Sequence, residues 1–399
     1  MDERRYRVDD ELEGTCEWLL ETEQWQRWQD CFKTVDVPRI LWIKGKAGTG
    51  KSTVMKFAVE RGHDAEDNEI VLVHFFNARG SDLEKTTEGM YRTLLVQLLE
   101  ALPDPKLERK SLRCVLPHGG LWSLHKLKDL FSRLIRANSH RYITCFIDAL
   151  DECDTDQARD MVGALRSIIE RKQRDTVNLR ICLASRYYPK ISAPETKYID
   201  LPIGSQEGHE ADIAGFIEKE VWIDDEHLAD KARSEMQRKA NGVFLWCHLV
   251  ARILNKKHDE GKLDSEEAIM GALQEIPGEL SALFMDILGM SGGKPGAQEP
   301  ATLLCLQWVL FTRQPLSPLR LWMLIQSVVS MDQEKPQGSR DVAAPDEKII
   351  GGFILHASRG LVEIVKRDRA PLDEPSHLVQ VIHESVRDFL LKEKGLARL

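Results

Sequence analysis

From Arg39 onward, near-continuous apolar runs alternate with amphipathic segments. The runs RILWIKG, EIVLVHFF, YITCFID and LRICLAS read as buried strands. Between them lie segments with helical spacing: one opening at Gly50, then TTEGMYRTLLVQLLE, LHKLKDLFSRLI and a stretch about Met161 to Ile169. In the last of these, Met161, Val162, Leu165, Ile168 and Ile169 fall on one face and leave Arg166 and Glu170 to solvent. Apolar strands joined by helices predict βαβ units, hence an α/β fold with a parallel sheet and helices on both faces, over residues 39–200.

The flanking segments read differently. Residues 1–38 are acidic and then rich in Trp (Trp18, Trp25, Trp28), which predicts one or two short helices packed on the sheet domain. After Leu201 strand signals fade, and ADIAGFIEKEV, ADKARSEMQRKA, GVFLWCHLVARIL and EEAIMGALQEI predict a module of four or so helices over 201–290. Three Gly and two Pro in SGGKPGAQEP mark residues 291–300 as a linker. Residues 301–399 form a mixed unit: helices about Leu303–Phe311 and Leu319–Val329, a loop KPQGSRDVAAPDE, strand-like GLVEIV and LVQVIH, and a closing helix ESVRDFLLKEKG.

Charge and cysteine usage remove several function classes. Across 399 residues, Lys plus Arg total 55 against 64 for Asp plus Glu, so a general nucleic-acid binder is excluded. The eight cysteines are scattered and never in CxxC spacing, as buried thiols of a cytoplasmic protein would be. The greasiest stretches, Val243–Leu254 and Ala301–Phe311, are too short and interrupted to span a bilayer.

The candidate chemistry sits at strand ends. Gly45-Lys46-Ala47-Gly48-Thr49-Gly50-Lys51-Ser52 matches GxxxxGK[ST], comes after the strand ILWI and opens a helix. Glycines there allow close backbone approach, so successive N–H groups and the helix N-terminus can cradle phosphate oxygens. Lys51 would neutralise the β- and γ-phosphates and Ser52 would hold Mg²⁺. The run YITCFID ends in Asp148, where a carboxylate can bind Mg²⁺ through its water, and Asp151 and Glu152 come within a turn of it. Alone, three clustered carboxylates are a solvated loop; beside a phosphate loop, Asp151 and Glu152 are candidates to orient or deprotonate the attacking water. A third strand ends at Arg186, a residue type that can sense phosphate charge.

Together these stretches resemble a NACHT-domain protein of the STAND class of P-loop NTPases, in particular the fungal NOD-like receptors of incompatibility and defence. GTCEWLL, LWIKGKAGTGKSTVMK, HFFNARGSDLEKTTEGMYRTLLVQLL, CFIDALDEC, LASRYYP, NGVFLWCHLVARIL and VIHESVRDFL carry the likeness in the family's order. It implies a P-loop NTPase sheet, then a helical module and a winged-helix domain. It makes residues Gly45 to Thr53 the nucleotide loop, Lys51 and Ser52 the phosphate and Mg²⁺ residues, Asp148 the Walker B metal residue, Asp151 and Glu152 the catalytic acids and Arg186 the sensor arginine. Pro202, in IDLPIG, would lie against the nucleotide base at the start of the helical module. His383, which on its own reads as a helix cap or a core histidine, would reach the β-phosphate of ADP.

The mechanism implied is a switch. ADP would favour a closed state and ATP an open one that forms homo-oligomers, with slow hydrolysis resetting it, in fungal non-self recognition or programmed cell death. ATP or ADP is implied, with GTP left open because the loop touches no base. Family members carry effector and repeat domains absent from these residues, so sensing and output are expected from protein partners or from a longer chain. A motor or kinase P-loop ATPase and a nucleotide-independent scaffold are the competing classes.

Overall fold

The structure, a computed structural model, describes residues 4–5, 8, 11–34, 37–62, 69–102, 123–170, 177–187, 197–290, 300–312, 314, 316–331, 345–366 and 375–399. The chain divides into two compact units, residues 1–269 and 270–399.

In the first unit, helices α1 (Trp18–Glu21) and α2 (Glu23–Gln29) precede β1 (Ile40–Lys44) and α3 (Lys51–Arg61). Then come β2 (Glu69–Phe75), α4 (Thr87–Ala101), α5 (Leu124–Ala137), β3 (Tyr142–Asp148), α6 (Thr155–Glu170), β4 (Leu179–Ser185) and β5 (Ile199–Pro202). Helices α7 (Glu207–Glu220), α8 (Glu226–Ala240) and α9 (Phe244–Asp259) come next, and α10 (Glu266–Glu275) crosses the division. The strands form one parallel sheet in the order β2-β3-β4-β1-β5.

Successive side chains of a strand face opposite ways, and both ways are apolar here. Ile40, Trp42, Cys145, Ile147, Ile181 and Leu183 pack with Leu94, Phe131 and Leu165 of α4, α5 and α6. On the other face Leu41, Ile43, Phe146, Cys182 and Ala184 pack with Trp25 and Trp28 of α2 and with Val54 and Phe57 of α3. The expected packing of the Trp-rich segment on the sheet is therefore realised, with Trp28 fully buried.

Two features depart from the sequence reading. The sheet has a fifth strand, β5, beyond the four apolar runs. Its four residues include an exposed Asp200 and end in Pro202, too little apolar signal to mark a strand. The division also falls at 269/270 instead of beyond residue 290. Helix α11 (Leu280–Ile287) belongs to the second unit, where fully buried Phe284 meets Phe389 with ring centroids 5.6 Å apart.

The rest of the second unit runs α12 (Pro300–Phe311), α13 (Pro318–Met331), α14 (Glu347–Ala357), β6 (Val362–Lys366), β7 (His377–Val381) and α15 (Glu384–Leu391). Strands β6 and β7 pair antiparallel, and Leu316 bridges to Val379. Most of the expected linker, residues 291–299, and most of the KPQGSRDVAAPDE loop lie outside the described residues, as does Cys114. The other seven cysteines are buried and free. No helix among the described residues is long and apolar enough to cross a membrane.

Candidate nucleotide site

The candidate residues of the first unit converge at the C-terminal edge of the sheet, where open parallel sheets bind ligands. The register sets Lys44, the residue before the glycine-rich loop, level with Ser185 on β4 and Pro202 on β5. Because β4 lies between β1 and β3, Arg186 emerges between the loop and Asp148. The Gly45 N–H donates to the Ser185 carbonyl at 3.4 Å, which ties the loop's first turn to that middle strand.

Gly48 and Gly50 have φ of +74° and +82°, a left-handed backbone that side chains adopt at a cost, and α3 starts at once with Lys51. Lys51 is partly buried and curls back over its own loop, its Nζ donating to the carbonyls of Gly45 at 3.1 Å and Lys46 at 2.6 Å. Burial lowers its pKa to about 8; Arg186 acts the same way, while Asp151, Asp148 and Glu152 oppose the shift. A cation desolvated in this way is suited to receive a phosphate. The Leu245 N–H, at the start of α9, donates to the Gly48 carbonyl at 3.1 Å.

Asp148 ends β3 and is 1% exposed, yet neither carboxylate oxygen has a hydrogen-bond partner among the described residues. Burial pushes its pKa up to about 6; Arg4 and the Ser52 hydroxyl work against the shift, while Glu152 and Asp151 add to it. Buried polar groups are normally satisfied, so an orphaned carboxylate beside Ser52 fits a hydrated cation. No group of three or more His, Cys, Asp or Glu among the described residues could hold a metal ion. Mg²⁺ takes one or two protein ligands together with water and phosphate oxygens, a part that Ser52 and Asp148 could fill.

Ala149, at φ +59°, turns the chain into the short 3-10 helix Leu150–Glu152, and both carboxylates of that turn are held by arginines. Asp151 accepts from the Arg186 N–H and from its guanidinium Nε, each at 2.9 Å. Glu152 accepts from Arg4 through both oxygens at 2.5 Å and from the Ala78 N–H at 2.7 Å. Burial would raise the Glu152 pKa, but Arg4, Ala78 and Arg79 outweigh it and hold the carboxyl below its ordinary value. For Arg4, burial opposes the charge, yet Glu152, Asp148 and Asp151 raise its pKa further.

Sequence reading missed Arg4. Its surroundings, DERRYR, read as a solvated charge run, and no spacing links it to a residue 148 positions away. Ser52 and Thr53 lie on the first turn of α3, and Lys46 is exposed at the loop tip. Pro202 is the last residue of β5, with a 3-10 turn, Ile203–Ser205, between it and α7. His383 lies in the second unit and caps α15, its Nδ1 accepting from the Ser385 N–H at 3.0 Å.

The chain is similar to known proteins to differing extents. Residues 14–186 match the family model of nephrocystin 3, N-terminal. The chain is similar to vegetative incompatibility protein HET-E-1 of Podospora anserina, 23% identical over 398 residues, with 94% of this chain and 26% of that protein covered. The chain thus spans about a quarter of that relative's length. Among solved structures, it aligns with the Aeropyrum pernix ORC2 protein at TM-score 0.38 and 15% identity, covering 99% of both chains. It also aligns with CDC6P from Pyrobaculum aerophilum at TM-score 0.37 and 10% identity, again over 99% of both.

Proposed function

We propose that the chain is a NACHT-type protein of the fungal NOD-like kind and acts as a nucleotide-dependent signalling switch. It binds ATP and ADP at the loop Gly45–Thr53 and hydrolyses ATP slowly, in non-self recognition or programmed cell death. The observation that carries this reading is the buried Asp148 carboxylate, without a hydrogen-bond partner among the described residues, at the strand end beside the phosphate loop.

Each part of the site has its own task. Backbone N–H groups of the loop and Lys51 bind the phosphates. Ser52 and Asp148 would hold Mg²⁺, whose charge when bound offsets that of the β- and γ-phosphates. In hydrolysis water attacks the γ-phosphorus, its proton passes to Glu152 or Asp151, and the β–γ bridging P–O bond breaks to release ADP. Arg186, paired with Asp151, senses the γ-phosphate. Pro202 lies against the base. The second unit, read as a winged helix, supplies His383 as an ADP contact, and ATP favours a state that self-associates. A nucleotide shifts such an equilibrium only by its differential affinity for the two states.

Carboxylates already engaged by arginines suit a slow, timed hydrolysis. The test is to purify the chain, denature it and identify the released nucleotide by chromatography, with Lys51→Ala purified alongside. Stoichiometric ADP in the first and none in the second is expected. Nucleotide retained equally by both would refute the loop assignment.

A further inference from the structure

Resting on the reading of Glu152 as the proton acceptor, we propose that Arg4 is a positioning residue that brakes hydrolysis by holding Glu152 in a two-point ion pair. The two guanidinium nitrogens Nη1 and Nη2 each meet one carboxylate oxygen, and Oε2 also takes the Ala78 N–H. The side chains are 11% and 7% exposed, so water competes little for either partner. A carboxylate bound in this way is fixed in place but poorly basic, because protonating it would break charge-assisted bonds.

Arg4 arrives on a segment strapped to the same machinery. The Val8 carbonyl accepts from Lys56 Nζ at 2.7 Å, and Arg5 and Glu11 pair with Glu60 and Arg61, all three partners lying on α3, the helix that the phosphate loop opens. Further along, Asp212 of α7 accepts from the Cys16 N–H at 2.9 Å and from Trp18 Nε1 at 2.8 Å. The brake is therefore attached to α3, the helix that the phosphate loop opens, and to the helical module. Any event that lifts Arg4 away frees Glu152 without touching the phosphate loop.

An alternative use of a buried arginine in such a site is to stabilise transition-state charge, and it predicts the opposite kinetics. In the whole chain, Arg4→Ala should raise kcat for ATP at least about tenfold, and by no more than the 10²–10⁴-fold that a positioned general base supplies, at a KM within about threefold. Arg4→Lys, which keeps the charge but not the fork, should show part of that rise and guards against misfolding of the alanine variant. Arg4→Ala combined with Glu152→Gln should turn over no faster than Glu152→Gln alone, which a merely structural role would not require. A fluorescent ATP analogue is titrated into every variant. Intact binding with kcat unchanged or lowered in both Arg4 variants overturns the brake alone. No binding by the wild-type chain overturns the nucleotide-site reading, and the brake with it.

Discussion

The backbone N–H of Leu245 donates to the carbonyl of Gly48 over 3.1 Å, so the first turn of α9 holds the tip of the phosphate loop from outside the sheet. A Cβ on Gly48 would come within 2.7 Å of the Leu245 Cβ, at a φ of +74°. Gly48→Ala should therefore lose about 1–2 kcal/mol from the backbone conformation alone, with more from the clash. Thermal unfolding and ATP-analogue binding should both weaken. An unchanged melting curve would mean that α9 and the loop are not joined in solution.

Lys51→Ala removes the ammonium without cutting an ion pair among the described residues, where its hydrogen bonds go to carbonyls of its own loop. Nucleotide affinity should fall by about 1.5–3 kcal/mol, roughly ten- to hundredfold in Kd, while the fold persists. Equilibrium binding with circular dichroism on the same sample separates the two effects.

Asp148→Asn should split stability from function. Losing a negative charge whose burial outweighs the help of Arg4 and Ser52 should leave the protein no less stable, and stabilise it by about 1 kcal/mol, roughly 2–4 °C in Tm. Mg²⁺-dependent retention of ATP should weaken at the same time, as should retention by the unaltered protein once the metal is chelated. A variant that lost stability and kept full Mg²⁺ dependence would remove Asp148 from the metal role.

His383 can be divided between its two roles by a pair of substitutions. Asn is a strong N-cap, so His383→Asn should keep α15 while losing the imidazole; His383→Ala should also lose about 1 kcal/mol of helix stability. If His383 retains ADP, both variants release it faster and only the alanine variant melts earlier. Equal ADP release from Asn and wild type would leave His383 as a cap alone.

The sheet and the places of the candidate residues along it were legible because each signal is local. Ile40–Lys44 and the adjoining GKAGTGKS fix a strand, a loop and a helix within some twenty residues, and Asp148 and Arg186 each end an apolar run. What escaped depends on partners far away in sequence. β5 is a strand because β1 offers it an edge, not because IDLP is apolar enough alone. α11 sides with the second unit because Phe284 finds Phe389 there, a choice no linker composition encodes. Arg4 lies in a charge run that reads as solvated until Glu152 turns toward it.

The pairing of Arg4 with Glu152 also bears on when the molecule can finish folding. On the ribosome Arg4 is made 148 residues before its partner, and Cys16 precedes Asp212 by 196. Closing such long loops is unfavourable until the sheet and α7 exist to receive them. The earliest-made part of this stretch is thus among the last to settle, and a nascent domain that has already formed its sheet would be exposed to ATP before its brake is in place.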